Sequence, residues 1–344
     1  MAANIHDVAQ RAGVSPRTVS NVVNDFVHVR PQTREKVLAA IEELGYRPNI
    51  AARRLRQGRT GIVGFVVPEL SQPYFAELSE LVEAEAQGRG YTVIATQTGG
   101  DPQRERRALD EFTTQVIDGV IFSPMGLSQD DFGAATPQVP LVLIGEQITS
   151  AGYLSIAIDN VAAIRDATAH LLESGRSRIA TLGAYHSDRY RSSALRLEGY
   201  EQAIAAAGLR LDPELVLYTD EFSRRAGYAG VERALRDGIR FDAIMCFTDM
   251  LAFGAMRALA DAGVRVPEDV AIAAIDDVQE AEFSVPRLTS VAPDKEAIVA
   301  RAFDALLALV EGGERPEGHS TAPYRLVVRE SSGGRVPARP SSDG

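Results

Sequence analysis

The spacing of apolar residues divides the chain into a short N-terminal segment with helical periodicity and a long segment of alternating apolar runs. In the first segment, Ile5, Val8, Ala9 and Ala12 recur at intervals of three and four residues. This spacing predicts a helix over residues 5–12, with Asn4 as its N-cap.

A glycine turn separates this helix from the next one. Gly13 suits a left-handed residue at a helix end, Ser15 can cap the following helix, and Pro16 can occupy its first position, where no N–H is needed. The periodicity then gives the second helix two faces. Val19, Val22 and Val23 face the first helix, and Arg17, Thr18, Asn21 and Asn24 fall largely on the open side.

A third helix is predicted from about Gln32 to Leu44, where Gly45 ends it. We expect it to point Val37, Leu38, Ile41 and Leu44 inward. Two helices joined by a short glycine turn and completed by a third form a helix-turn-helix, whose second helix enters the major groove of DNA. From the pattern alone, a small helical bundle with solvated charges remains an equal alternative.

From Gly61 onward, short apolar runs alternate with amphipathic stretches such as 75–88, 103–117, 160–174, 194–207 and 225–237. Continuous β-branched runs between helices indicate parallel strands in sheets that are covered on both faces. Nine runs exceed one ordinary sheet and predict two lobes. The runs are GIVGFVVP, YTVIATQT, DGVIFSP, PLVLIGE, LSIAIDN, RIATLGA, LVLYTD, DAIMCFTD and DVAIAAIDD.

Ligands of such sheets bind outside the carboxyl ends of the strands. That rule selects positions directly after the predicted strands as candidate binding residues. They are residues 69–75, Ser123, Glu146, Asp159, residues 185–196, Phe222, Thr248 with Asp249, and Asp276 with Asp277.

The charge is distributed unevenly along the 344 residues. Residues 1–60 carry ten Arg and Lys against five Asp and Glu, a net charge of +5, which leaves −16 for the rest of a chain whose total is −11. A small basic head on a large acidic body is expected of a DNA-binding module joined to a domain that binds something else.

Other classes of protein are disfavoured by what the sequence lacks. Cys246 is the only cysteine, which leaves no disulfide framework, and the five histidines show no metal-ligand spacing. Neither a GxxxxGK[ST] loop nor a GxSxG elbow occurs. The first residues lack the apolar core of a secretory signal, and no run of about 18 apolar residues could span a membrane. We therefore expect a soluble cytoplasmic protein, not an enzyme, without cofactor or metal.

Two stretches carry a resemblance that covers the whole chain. IHDVAQRAGVSPRTVSNVVN, followed by TREKVLAAIEELGYRPNIAARRLRQGRTGIVGFVVPEL, resembles the start of a lactose-repressor/galactose-repressor (LacI/GalR) family transcription factor. Asn21 stands where many members carry Arg, and VRPQT replaces the commoner VSPET, so the sequence does not specify the operator.

The resemblance implies where DNA would be contacted. In the major groove these residues are Ser15, Pro16, Arg17, Thr18 and Asn21. Arginine can pair with guanine and asparagine with adenine through two hydrogen bonds each. Residues 50–56 would form a hinge helix, too short to persist alone, with Asn49, Ala52, Arg53, Arg54 and Leu55 on the minor groove and backbone. Leu55 would wedge open a base step; without the resemblance, a leucine packed against the body is the simpler interpretation.

The resemblance also narrows the candidate binding residues of the body to an effector pocket in the cleft between the lobes. An aromatic floor would take apolar ring faces, while Arg196 and Asp276, expected on opposite lobes, would hold hydroxyls or a carboxylate. Alternatively, these two residues form only an inter-lobe salt bridge, Tyr74 and Phe75 belong to the core, and Asp249 and Asp159 only cap helices. The expected pocket is Tyr74, Phe75, Ser123, Glu146, Ser192, Arg196, Phe222, Thr248 and Asp276.

The fold class expected is α/β: a three-helix helix-turn-helix head (1–46), a hinge helix and linker (47–60), and a two-lobed parallel-sheet body of periplasmic-binding-protein type (61–330). The first lobe would comprise 61–160 and 291–320, the second 161–290 and 321–330, and a disordered tail 331–344.

We expect a homodimeric repressor of a near-palindromic operator, controlled by a small effector, a sugar or related metabolite. An activator or co-repressor-dependent regulator that responds to a nucleoside or a phosphocarrier protein is the alternative. A periplasmic sugar-binding protein would share the body but not the head.

Overall fold

The computed structural model of the protein divides into two compact units, Met1–Thr60 and Gly61–Gly344, called here the head and the body. The structure describes residues 3–23, 26, 28–46, 59–114, 117–134, 139–148, 152–186, 190–314 and 316–333. Helices and strands are numbered in chain order.

The described part of the head consists of three helices: α1 Ile5–Ala12, α2 Pro16–Val23 and α3 Pro31–Leu44. Asn4 and Asp7 form a capping box at the start of α1, in which each side chain accepts a hydrogen bond from the other residue's backbone N–H. Gly13 ends the helix with a φ of 66°, so the predicted turn between the first two helices is confirmed.

The head has its own small core, in which Val8, Val19 and Val37 are fully buried. The prediction that Leu38 points inward is wrong, because its side chain is 51% exposed. The buried face of α3 follows Val37 at intervals of three and four residues, and Leu38 lies about 100° around the helix from that face. The helix also begins at Pro31, one residue before the predicted start.

The described part of the body contains two six-stranded sheets, and all nine predicted strands are present in it. The order of the first sheet is β11-β5-β4-β3-β1-β2, with every neighbouring pair parallel. Its strands are β1 Ile62–Val67, β2 Thr92–Gln97, β3 Gly119–Phe122, β4 Leu141–Ile144, β5 Leu154–Ile158 and β11 Gly318–Ala322.

The second sheet repeats this order as β12-β10-β9-β8-β6-β7, with only β12 antiparallel to its neighbour. Sequence reasoning missed three strands, β10 to β12, because they are short and two of them are only partly buried. The strands are β6 Ile179–Ala184, β7 Val216–Tyr218, β8 Ala243–Cys246, β9 Ala271–Ile275, β10 Thr289–Pro293 and β12 Tyr324–Val327.

Each sheet and the helices that pack on it make one lobe. On the first sheet these are α4 Pro73–Gly88, α5 Pro102–Thr114 and α12 Lys295–Val310, and the short α6 Gln129–Ala134 lies in the connection between β3 and β4. On the second they are α7 Asn160–Glu173, α8 Arg191–Ala206, α9 Arg224–Arg236, α10 Asp249–Asp261 and α11 Glu280–Phe283.

The chain passes between the two sheets three times, at Asp159, Asp294 and Pro323. The expected lobe boundaries therefore need correction: residues 291–293 belong to the second sheet, through β10, and the first sheet continues to Ala322, through β11. The apolar pattern could not show which sheet such short strands join. The backbone N–H of Asp294 donates to the carbonyl oxygen of Pro323 at 3.0 Å, so two of the crossings are directly bonded.

The disordered tail was predicted to begin too early. Glu330–Ser332 forms a 3-10 turn in which Ser331 and Ser332 are buried, and the Ser331 hydroxyl donates to the carbonyl of Ile272 at 2.7 Å. Hydrogen bonds from serine side chains to the sheet thus hold this segment in place, although it has no apolar residues that could pack on the sheet. Residues 334–344 lie outside the described residues.

Candidate functional site

A cavity of about 610 Å³ lies between the lobes, at the carboxyl ends of the strands of both sheets. All nine residues of the expected effector pocket line it: Tyr74, Phe75, Ser123, Glu146, Ser192, Arg196, Phe222, Thr248 and Asp276. The volume falls in the range of pockets that enclose most of a small ligand.

Tyr74 and Phe75 occupy the first turn of α4, which follows β1 after a loop of five residues, and Pro73 begins that helix. Their rings meet edge to face, with the centroids 5.3 Å apart. Burial raises the pKa of the Tyr74 hydroxyl, and the carboxylates of Asp276 and Glu146 raise it further. The hydroxyl is therefore a neutral hydrogen-bonding group on the cavity wall.

Arg196 projects from α8 and is held by two groups of its own lobe. Its Nε donates to Oδ1 of Asn160 at 2.8 Å, and its Nη1 donates to the carbonyl oxygen of Phe247. These bonds fix the plane of the guanidinium, so its orientation exists before a ligand binds.

Two expectations about Arg196 and Asp276 are wrong. They do not face each other from opposite lobes, because α8 and the end of β9 both belong to the second lobe. Among the ion pairs of the described residues there is also none between them, so the inter-lobe salt bridge is excluded. The expected lobe boundaries place both residues within 161–290, in the second lobe, so the expectation of opposite lobes does not agree with those boundaries either.

Asp276 directly follows β9 with a φ of 125°, a backbone conformation that side chains other than glycine seldom adopt. Burial raises the pKa of its carboxyl to about 6, while the positive charges of Arg196 and Lys295 act in the opposite direction. Strained residues are concentrated at functional sites, and this one presents a carboxyl group to the cavity.

Thr248 lines the cavity as expected, but it also takes the capping role that the sequence suggested for Asp249. Thr248 caps α10, because its hydroxyl accepts a hydrogen bond from the backbone N–H of Leu251 at 3.2 Å. Asp249 does not cap the helix; its fully buried carboxyl group accepts from the N–H of Val278 and the hydroxyl of Ser290. Burial raises its pKa well above the ordinary value. Asp159 does cap α7, as its sequence position suggested.

Tyr185 and Tyr190 form an aromatic cluster with Phe222; both lie within the strand-end candidates 185–196, but neither was in the expected pocket. The ring centroids of Tyr185 and Tyr190 are 4.5 Å apart, and those of Tyr185 and Phe222 are 5.1 Å apart. All three side chains line the cavity. Their positions after β6 and β7 satisfy the strand-end rule, which was the available signal.

Two glutamines of the first lobe reach across the cleft. Gln72 lies within the strand-end candidates 69–75, although it is not in the expected pocket, and Gln147 was not selected from the sequence. The Gln72 amide donates to the carbonyl oxygen of Phe222 at 3.2 Å. The Gln147 oxygen accepts from the backbone N–H of Arg191 at 3.0 Å, at the start of α8, where the N-cap residue Tyr190 makes no side-chain cap. Both lobes are therefore bonded to each other around the cavity.

Glu105 fixes another part of the cavity wall without lining it. Its fully buried carboxylate accepts backbone N–H bonds from Met125, Gly126 and Leu127 at 2.8–3.0 Å. This loop continues from Ser123, so an acidic side chain of α5 determines the shape of the wall beyond β3.

Acidic side chains outnumber basic ones in the cavity lining. Among the described residues of the lining, Arg196 and Arg224 are the basic ones, and Arg224 also lies 3.8 Å from Glu280. The lining acids are Glu69, Glu146, Asp220, Glu221 and Asp276. This balance favours ligands that donate hydrogen bonds and disfavours anions.

In the head, three of the predicted DNA-contact residues, Ser15, Pro16 and Thr18, also form the start of α2. The Ser15 hydroxyl accepts from the backbone N–H of Thr18 at 3.1 Å and is 2.9 Å from the Thr18 hydroxyl. Pro16 is the first residue of α2. These contacts confirm the predicted cap.

Arg17 and Asn21 lie on the same side of α2, away from its valines. Arg17 is exposed, and within the described part of the head its side chain makes no hydrogen bond or ion pair. By contrast, Arg11 is paired with Glu43 at 2.7 Å. The remaining predicted DNA contacts, Asn49, Ala52, Arg53, Arg54 and Leu55, lie outside the described residues.

No helix in the described ranges is both long and apolar enough to cross a membrane. The same ranges contain no group of three His, Cys, Asp or Glu residues that could hold a metal ion.

Residues 4–49 match the family of bacterial regulatory proteins described as the lacI family, and residues 168–332 match a periplasmic binding protein-like domain. The lac repressor dimer bound to operator and the anti-inducer ONPF is 27% identical, with a TM-score of 0.82 over 96% of this chain and 99% of that one. The two domain matches and the structure thus define the class of protein: a helix-turn-helix transcriptional regulator whose body is a periplasmic-binding-protein-like, effector-binding domain.

Whole-chain relatives identify the family. The HTH-type transcriptional regulator RegA of Clostridium saccharobutylicum is 34% identical over 96% of this chain and 100% of its own length. The transcriptional regulator CelR, solved as a complex with cellobiose, is 32% identical, with a TM-score of 0.71 over 96% of this chain and 99% of that one. The chain belongs to the lacI family of bacterial transcriptional regulators.

Proposed function

We propose that this protein is a cytoplasmic repressor that binds a near-palindromic operator as a homodimer and is controlled by a neutral polyhydroxylated effector, a sugar or close relative, in the inter-lobe cavity. The observation that carries the proposal is the convergence of the nine expected effector residues on one cavity in a chain that also has a helix-turn-helix.

On DNA, α2 would enter the major groove with Ser15, Pro16, Arg17, Thr18 and Asn21 facing the bases and backbone. The exposed and unengaged guanidinium of Arg17 supports this role, since arginine reads guanine through two parallel hydrogen bonds. The minor-groove set, Asn49, Ala52, Arg53, Arg54 and Leu55, rests on the sequence alone.

The homodimer is supported by apolar side chains that the isolated chain leaves uncovered. Phe283 and Val285 are 73% and 93% exposed, and Ile94 on the edge strand β2 is 39% exposed. Large exposed apolar residues at a sheet edge and a loop are typical of surfaces that a second subunit covers. The lac repressor, a relative, has been solved as a dimer on its operator.

The effector class follows from the cavity lining. The rings of Tyr74, Phe75 and Phe222 offer faces for the CH surface of a sugar, the Arg196 guanidinium donates to hydroxyl oxygens, and the Asp276 carboxylate accepts from hydroxyl groups. The excess of acidic residues disfavours phosphorylated sugars. The related CelR binds a neutral disaccharide.

Thermal-shift measurements against D-glucose, D-galactose, cellobiose, glucose 6-phosphate and adenosine test the effector class. We expect a neutral sugar to raise the melting temperature and glucose 6-phosphate to have no effect, since only a ligand that binds the folded state stabilises it. A shift with glucose 6-phosphate but with no neutral compound would contradict the proposal.

The DNA role is tested with an operator selected from a random-sequence DNA library. Arg17→Ala should lose about 1–3 kcal/mol on the selected site and lower the ratio of specific to random binding. Lys36→Ala, which removes a charge from the exposed side of α3, serves as the control and should leave that ratio unchanged. An unchanged ratio for Arg17→Ala would remove this residue from base recognition.

A further inference from the structure

Glu77 and Lys295 form an ion pair behind the wall of the cavity. Glu77 lies in α4 and Lys295 is the first residue of α12, so both belong to the first lobe. The side chains are only 28% and 11% exposed, and neither lines the cavity. Because water solvates this ion pair poorly, we expect further hydrogen bonds from protein groups to offset the desolvation of its two charges.

Both members of the pair also bind backbone groups of the second lobe. Oε1 of Glu77 accepts from the backbone N–H of Gln279 at 2.8 Å. The ammonium group of Lys295 donates to the carbonyl oxygen of Asp277 at 3.2 Å. The first lobe thereby holds residues 277–279 of the second lobe at two points, through charged groups, which make the stronger class of hydrogen bond.

The held segment begins one residue after Asp276, which presents its carboxyl group to the cavity. Asp277 itself has a φ of 45°, and its carboxylate is 2.6 Å from the guanidinium of Arg329. The segment is therefore anchored to its own lobe on one side and to the first lobe on the other. The position of Asp276 depends on both anchors.

On the first lobe, Lys295 contacts a second cavity residue. Its ammonium nitrogen lies 5.4 Å from the ring centroid of Tyr74, within the range of a cation–π interaction. A single lysine thus touches the ring of a first-lobe cavity residue and the carbonyl next to a second-lobe cavity residue.

We infer that the Glu77–Lys295 pair is a cross-lobe lock that positions Asp276 and Tyr74 relative to each other and holds the cleft closed. An opening that moved residues 277–279 away from α4 and α12 would break the bonds of both charged groups to Gln279 and Asp277, which the arrangement described here provides. The role as a positioning device for effector binding rests on the proposed function, whereas the lock itself is a property of the free protein.

Hydrogen–deuterium exchange of the free protein, without DNA or effector, tests the lock. Lys295→Met keeps the length of the side chain and removes its charge. We expect exchange in residues 277–279 to become about tenfold faster, which corresponds to losing one charge-assisted hydrogen bond from the closed state. Glu77→Met should act in the same direction. Glu80→Met, at an exposed position one turn further along α4, is the control and should leave exchange in this segment unchanged.

The double variant Glu77→Met/Lys295→Met separates a lock from a merely structural ion pair. Each single change leaves one charge poorly solvated and without its partner, so each should lower the melting temperature, and the double variant should recover most of that loss. Exchange in residues 277–279 should nevertheless stay fast, because the bonds to the second lobe are gone. Exchange that recovers together with the melting temperature, or unchanged exchange in Lys295→Met, would overturn the inference.

Distance measurement supplies a second readout. Gln103 and Arg225 are exposed at the starts of α5 and α9, and the only native cysteine, Cys246, is buried. Spin labels on Gln103→Cys and Arg225→Cys, in chains diluted with unlabelled protein, report the separation of the lobes. We expect longer and broader distances in the double variant than in the unmodified pair. Identical distributions would show that the pair does not hold the cleft.

Discussion

The two lobes share one strand order and one unusual backbone position, yet they fill that position differently. Gly145 directly follows β4 with a φ of 103°, and Asp276 directly follows β9, the equivalent strand, with a φ of 125°. Glycine adopts such a conformation without strain, whereas aspartate does not. At this position the first lobe thus has a glycine without backbone strain, whereas the second lobe has a strained aspartate whose carboxyl group lies in the cavity.

The difference indicates which lobe carries the specific recognition. A non-glycine residue in this region costs of the order of 1–3 kcal/mol and persists where the surroundings hold it in place. Asp276 is held by the segment that follows it, through Asp277 and Gln279. Arg196 and Thr248 belong to the same lobe. We expect the second lobe to supply most of the binding energy for polar groups and the first lobe to supply mainly ring faces.

The largest expected effect comes from removing the strained carboxylate. Asp276→Ala should weaken binding of the sugar that stabilises the wild type by about 10²-fold or more, because hydroxyl groups of the ligand lose their buried acceptor. Operator binding by the free protein should be preserved. Glu146→Gln, the change at the equivalent edge of the first lobe, should have a smaller effect. Equal losses by isothermal titration would break the asymmetry between the lobes.

The pH dependence of stability gives the next test. Because burial raises the pKa of Asp276 to about 6, the folded state binds a proton there more tightly than the unfolded state, whose aspartate pKa is about 3.9. Stability from this group is therefore present below pH 4 and is lost as the pH rises through 6, by up to about 1 kcal/mol per unit. Urea titrations at a series of pH values should show a flatter profile for Asp276→Asn. An unchanged slope would show that the group does not titrate in this range.

The backbone strain that a side chain would cause at Gly145, the position equivalent to Asp276, should also be measurable. Gly145→Ala places a Cβ 3.9 Å from the Ser123 hydroxyl, an ordinary contact, so the positive φ is the main obstacle. We expect a loss of about 1–3 kcal/mol in the free energy of unfolding. Gly88→Ala, where φ is not positive and the added carbon meets nothing within 4 Å, is the control and should be neutral or slightly stabilising. A neutral Gly145→Ala would mean that this position tolerates side chains without strain.

The smallest effect concerns the polar residues that follow β3 and β8. Thr248 caps α10, so Thr248→Val should lower the free energy of unfolding by about 1 kcal/mol. Ser123 lies outside any helix and caps none, so Ser123→Ala should change stability by less than about 0.5 kcal/mol. Denaturant midpoints of the two variants check this. A larger loss at Ser123 would assign it a structural role that its hydrogen bonds do not indicate.

Much of this architecture follows from local patterns in the sequence. The β-branched runs that became β1 to β9 are long enough to be read directly, and the caps at Asn4, Ser15 and Asp159 are set by neighbouring residues. The strand-end rule selected the candidate positions, because the carboxyl ends of parallel strands share one edge of a sheet, and the family resemblance narrowed them to the nine cavity residues.

The features that the sequence did not predict depend on contacts between residues that are distant in the chain. The strain at Asp276, the bonds from Gln72 and Gln147 across the cleft, and the burial of Glu105 by a loop twenty residues away have no periodic signature. Leu38 shows the opposite failure: an apolar residue was assigned to the core although it lies beside the buried face of its helix. In each case the outcome depends on how the elements pack in the folded chain and not on the local sequence.

The interleaving of the lobes has a consequence for how the chain acquires its structure during synthesis. The first sheet receives its edge strand β11 and its covering helix α12 only from residues 295–322, after the whole second sheet except β12 has been made. Phe303 and Leu306 of that helix are fully buried in the core. The first lobe is begun early but stays incomplete on the ribosome until nearly all of the chain has emerged. Until then, the apolar surface that α12 later covers is exposed, and a longer delay gives it more time to aggregate.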